Sequence, residues 1–187
     1  FERRLRTGHT GAMTAMQAVE AALMMVQAEA RSARPLLRGV YTASVDTGGR
    51  ALSWDVLFSL PGHSECSVLI EPDPTTADPD KAAMIATARF SPISGSASTG
   101  PHRDTGGHGR HMRRQYRRDL EQKPAFPMDF TDSPGAMQSL LAHGLDPQLS
   151  DREIALASIM LEEGQPVWRA SLAGYSWQIP FAKDRVA

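Results

Sequence analysis

Between Thr14 and Ala33 the apolar residues Met16, Val19, Leu23, Val26 and Ala30 recur three and four apart, with Gln17, Glu20, Gln27 and Arg31 largely on the other side. Residues at that spacing share one face of a helix. Thr14 and Gln17 have the spacing of a capping box, and Pro35 follows the last turn, so both ends of the helix are marked. Met13, Met24 and Met25 widen the apolar side. Such a methionine-rich face reads as core packing before it reads as an adaptable binding surface.

After Pro35 the period falls to two. Leu37, Gly39, Tyr41, Ala43 and Val45 are expected on one face of a strand, and Asp46-Thr47-Gly48-Gly49 supplies a turn that tolerates positive φ. Leu52, Trp54, Val56, Phe58 and Leu60 then alternate with Ser53, Asp55 and Ser59, the pattern of a half-buried strand. Pro61-Gly62-His63-Ser64 turns the chain, and Cys66, Val68 and Ile70 alternate up to Pro72.

The same order recurs towards the C-terminus. Ser133 stands as an N-cap before Pro134, Met137, Leu140 and Leu141 form a short stripe, and Gly144 closes it. Strands are expected over about 153–162 and 167–173, and a third carries Tyr175, Trp177, Ile179 and Phe181. Ala15-Met16-Gln17 matches Ala136-Met137-Gln138, and Trp54 and Trp168 each lie early in a middle strand. The expectation is an α+β fold of two helix-plus-three-stranded antiparallel meander units that share one sheet packed against helices. The units span 1–73 and 133–187, and 74–132 reads as an irregular basic connector with short helices. Within it, Asp78-Pro79 caps a short helix or Met84, Ala86, Ala88 and Phe90 make a strand, and periodicity alone does not choose. Ser91 to Gly107 reads as loop, and Arg110 to Lys123 as a helix ended by Pro124.

A helix leading into a meander with an aromatic middle strand, closed by Val68-Leu69-Ile70-Glu71-Pro72-Asp73, resembles the PepSY type of repeat. The resemblance covers residues 14–73 and, more loosely, 133–182. The second unit lacks the acidic-proline ending, and the basic insert departs from the pattern. What the resemblance implies is a bacterial exported or envelope setting and the binding or restraint of other proteins. It carries over no site residues.

Composition narrows the function classes. The net charge of -1 over 187 residues excludes a whole-protein electrostatic commitment to nucleic acid, although a local patch remains open. No apolar run approaches the roughly 18 residues of a membrane span. Cys66 is the only cysteine, so no internal disulfide or multi-cysteine zinc site exists, and its alternation with Val68 and Ile70 makes it a packing thiol. Phe1 in place of an initiating methionine leaves exported and cytoplasmic settings equally open.

The densest chemistry lies at 102–118. His102, Asp104, His108 and His111 are suitable metal ligands, but Gly106, Gly107 and Gly109 make ordering them costly, so they read as solvated. Arg110, Arg113, Arg114, Arg117 and Arg118 fall on one broad helical face with Tyr116 among them; the stripe reads first as a solvated face or one self-paired with Asp119 and Glu121, and otherwise as a contact surface for an acidic partner or for phosphates. Trp54, Tyr175 and Trp177 form a candidate aromatic binding face, weighed against core packing. No nucleophile elbow or phosphate cradle is present, and no catalytic, cofactor or metal residue is nominated. The expected function is non-catalytic binding of another protein through the sheet face or its loops. The alternative is nucleic-acid or anionic-ligand binding through 110–118, and a further one is an enzyme with a pocket between helix and sheet. Exposed meander edges leave a homo-oligomer open as well.

Overall fold

A computed structural model describes residues 2–30, 34–60, 65–90, 124–145 and 154–181. The chain begins with strand β1 (Glu2–Thr10), then helix α1 (Ala15–Ala30) and strands β2 (Leu36–Val45), β3 (Trp54–Ser59), β4 (Glu65–Pro72) and β5 (Ala83–Phe90). Helix α2 (Ser133–Ala142) precedes β6 (Ile154–Met160), β7 (Pro166–Leu172) and β8 (Tyr175–Pro180). The eight strands form one antiparallel sheet in the order β1-β5-β4-β3-β2-β6-β7-β8. The fold is therefore α+β, with β2–β6 pairing joining its two halves.

The helix-bearing face is built by alternation. Trp54, Val56 and Phe58 of β3, Cys66, Val68 and Ile70 of β4, and Met84, Ala86 and Ala88 of β5 are buried there. Helix α1 lies against these three strands with Ala18, Val19, Ala22, Met25 and Val26 inward. Alanines on α1 and β5 let helix and sheet approach closely. Helix α2 packs near β8, over a second cluster in which Phe130 stacks on Phe181 at 4.6 Å and Trp168 lies 4.8 Å from Phe181. Phe126 joins it edge-on at 5.1 Å.

The structure departs from the expected units in four places. The first meander has a fourth strand: β5 pairs with β4 from Cys66↔Phe90 to Pro72↔Met84, inside the span read as connector. Both readings of that span are partly met, since Asp78 caps a single 3-10 turn at Pro79–Lys81 before β5 begins. Strand β1 was not anticipated; it pairs with β5 and forms one edge of the sheet. In β2 the register shifts between Leu37 and Gly39 and again between Thr42 and Val45. Leu37, Val40, Thr42 and Val45 are consequently buried, and Tyr41 is turned to the other face. An irregularity adds a residue, and one residue reverses every side chain beyond it. Lastly, the N-cap of α2 is Asp132, one residue before Ser133.

The capping box of α1 forms as expected: the Thr14 N–H donates to Gln17 Oε1 at 3.0 Å, and the Gln17 N–H to Thr14 Oγ1 at 3.4 Å. Other first-turn donors of α1 find partners far along the chain. The Ala15 N–H donates to Ser133 Oγ and the Met16 N–H to Asp132 Oδ1, both at 2.8 Å. Ser133 Oγ in turn donates to the Gly49 carbonyl at 2.6 Å. Gly49 has φ +74°, and a Cβ there would lie 2.3 Å from the Pro134 nitrogen, so only glycine fits.

Two of the three tryptophans also brace the helix starts. Trp54 Nε1 donates to the Met13 carbonyl at 2.9 Å, and Trp168 Nε1 to the Thr131 carbonyl at 2.7 Å. Ser133 is fully buried, so Ser133→Ala leaves the Ala15 N–H and the Gly49 carbonyl without that partner. A loss of about 2–3 kcal/mol in urea denaturation is expected. Gly49→Ala is expected to cost more, since left-handed strain adds to a backbone clash.

Candidate functional site

Trp54, Trp168 and the two described helices sit on one face of the sheet. Across the other face, successive pairings trace the row Arg4–Thr87–Leu69–Asp55–Tyr41–Ala157–Arg169–Gln178 through all eight strands. Neighbouring rows add Glu2, Arg89, Ser67 and Leu57 on one side, and Arg6, Ile85 and Glu71 on the other. Ile159 and Val167 pair in the second half. Leu57, Thr87 and Val167 are buried, while Tyr41, Leu69, Ile85 and Ile159 are partly exposed. Such a mixture of aliphatic, tyrosine and arginine side chains suits contact with a macromolecule better than either a dry core or a fully solvated face.

Local pairs organise the polar positions of this face. Ser67 Oγ donates to Asp55 Oδ1 at 3.0 Å, and Arg38 Nε to Ser59 Oγ at 2.7 Å. Arg89 reaches Glu2 at 3.2 Å and Arg6 reaches Asp73 at 3.4 Å. The Thr75 hydroxyl and backbone N–H, both bonded to Asp73 Oδ1, hold the Asp73 carboxyl below the usual carboxylate range, and Arg6 adds to the effect. Asp73 thus has a structural role: it pins the turn after β4 and ties it to β1.

The residues nominated from sequence fall in different places. Trp54 is fully buried beneath the start of α1. Tyr175 is 72% exposed and Trp177 half-buried, with ring centroids 6.4 Å apart on the edge strand β8. Their partners across β7, Leu172 and Ala170, are buried. The pair therefore projects to the helix-bearing side, and three strands separate it from the strand of Trp54. Arg110, Arg113, Arg114, Arg117 and Arg118 lie outside the described residues, as do His102, Asp104, His108 and His111. Among the described residues no three His, Cys, Asp or Glu side chains converge to hold a metal ion, and no helix is long and apolar enough to cross a membrane.

Sequence reasoning passed over Tyr41, Arg169 and the arginines of β1. Arg4 and Arg6 did carry a signal, the two-residue spacing of a strand face. Tyr41 did not, because the irregularity in β2 inverts its side.

No protein-family model matches this chain, and neither a curated protein nor a solved structure matches it significantly. Function has to be argued from the geometry.

Cys66 is buried on the helix-bearing face, where desolvation, helped by the Glu65 charge, pushes its thiol up to about 12. At pH 8 the thiolate is then about one part in ten thousand. A disulfide-exchange reagent is expected to leave native protein unlabelled at that pH and to label it fully in denaturant. The raised value also sets a pH trend. The stability Cys66 contributes is intact below the ordinary thiol value near 9, where both states hold the proton, and is lost as pH rises towards about 12.

Proposed function

We propose that the chain is a non-catalytic binding module that holds another protein against the sheet face opposite the two described helices. The observation that carries this is the continuity of that face. The β2–β6 pairing joins the described strands into a single platform eight strands wide, with the two described helices on the opposite side. A broad sheet presents side chains at fixed spacings, so an interface can form with little loss of conformational entropy.

We further propose that the platform arose from two copies of one helix-plus-meander unit, as the PepSY-like resemblance implies. Several correspondences support the reading. Tyr41 and Ala157 face each other across the centre, and from them Tyr41–Asp55–Leu69 and Ala157–Arg169–Gln178 step outward in matching order. One residue before Asp55 and Arg169 stand Trp54 and Trp168. Each indole donates to a carbonyl two residues before the first residue of its helix, Met13 before Ala15 and Thr131 before Ser133. On this matching the shared Ala-Met-Gln triplets are out of register, since Ala15 opens α1 whereas Ala136 is the fourth residue of α2.

The test is affinity capture from nuclease-treated source-cell extract, comparing wild type with Leu69→Glu and Ala157→Arg. Both substitutions add charge at partly exposed positions on the face opposite the helix-covered core, so unfolding midpoints should stay within a few degrees of wild type. A protein retained by wild type is expected to fall about tenfold or more with either variant, because unpaired interface charge is costly. Capture indifferent to both variants, or lost with nuclease, defeats the reading.

A further inference from the structure

We infer that β1 is a second docking element, an edge that accepts an extended acidic segment of a partner by strand addition; the inference rests on the reading of the chain as a protein-binding module. Among the described strands, β1 pairs with β5 alone and stands at the end of the strand order. Alternate residues of such an edge turn their N–H and C=O groups outward, a template for another strand. The template has a defined length. Pairing with β5 is regular from Glu2 to Arg6 and then shifts before Thr10, with Gly8 at φ +81° in between. That irregularity breaks the even spacing of the edge groups and closes the template at Arg6.

The side chains specify the occupant. Arg4 and Arg6 stand on the sheet face opposite α1, and Arg89 is on the same face beside them. Their ion pairs are with Glu2 and Asp73, and the three guanidinium side chains remain 68%, 76% and 53% exposed. Exposed pairs of this kind are weak and exchange readily for better-placed carboxylates. Leu5 lies between Arg4 and Arg6 on the opposite face of the strand and is 44% exposed, a large apolar side chain at an edge with room for a neighbour. A strand laid along Glu2–Arg6 would set its alternate residues opposite Arg4 and Arg6, with the residue between them beside Leu5. The complementary pattern is acidic, apolar, acidic. A second copy of this chain paired about Leu5 would instead set Arg4 against Arg6 twice, and like charges directly opposite destabilise a sheet. The edge therefore favours a foreign acidic strand over self-association.

The experiment uses the full chain and a labelled peptide, Thr-Val-Glu-Leu-Glu-Val-Thr, read by fluorescence anisotropy. Saturable binding is expected. The double variant Arg4→Glu/Arg6→Glu should weaken it about tenfold or more and bind the peptide with lysine in place of glutamate about tenfold better than wild type does. Peptides methylated at every second backbone nitrogen, in the two alternate phasings, test the strand geometry on wild type alone. One phasing is expected to abolish binding. Equal binding of both phasings, equal competition by a single-stranded oligonucleotide, no lysine-peptide gain in a folded double variant, or no binding at all overturns the inference. If the peptide fails while a captured protein still depends on Leu69 and Ala157, this inference alone falls.

Discussion

The fold turns on a single buried hydroxyl. Ser133 Oγ accepts the first N–H of α1 and donates to Gly49, while its neighbour Asp132 takes the next α1 donor. A helix start, a hairpin turn and the approach to a second helix are thereby joined across more than a hundred residues of chain. All of these groups would be orphaned donors or acceptors without one another, and burying them unpaired would cost more than most single contacts supply. Within the described residues no buried side-chain nitrogen or oxygen lacks a partner.

That junction explains why the two halves act as one body. Pairing of β2 with β6 makes the sheet continuous, but antiparallel pairing alone could slip in register. Fastening the starts of α1 and α2 to the same turn fixes where the halves sit and puts these two helices on one side. The opposite face carries the second set of alternating strand residues. Its aliphatic and charged positions are interleaved because β3 and β4 alternate strictly, with Leu57 and Leu69 turned away from Val56 and Val68.

Edge management differs at the two ends of the sheet. The β1 edge carries Arg3, Arg4 and Arg6, a common guard against indiscriminate strand pairing. The β8 edge presents Tyr175 beside Trp177 and ends at Pro180, which has no N–H to extend a ladder. The two edges are thus chemically distinct.

Local periodicity and turn chemistry determined much of this architecture. The α1 stripe with its Thr14–Gln17 capping box, the alternation of β3 and β4, and the strands β6 to β8 are each written in spacings of a few residues, because each buries one face against a neighbour. Composition likewise ruled out a disulfide framework. Tertiary structure alone decided the rest. Which strands pair across the centre, the inversion of Tyr41 by an irregularity in β2, and the recruitment of β1 as an edge all depend on partners distant in sequence. Trp54 shows the division: its alternation marked it as half-buried, yet only the carbonyl of Met13, forty-one residues earlier, shows that its indole N–H braces a helix and not a ligand. Periodicity reports which side of an element is apolar; what covers that side is set by contacts the local pattern does not encode.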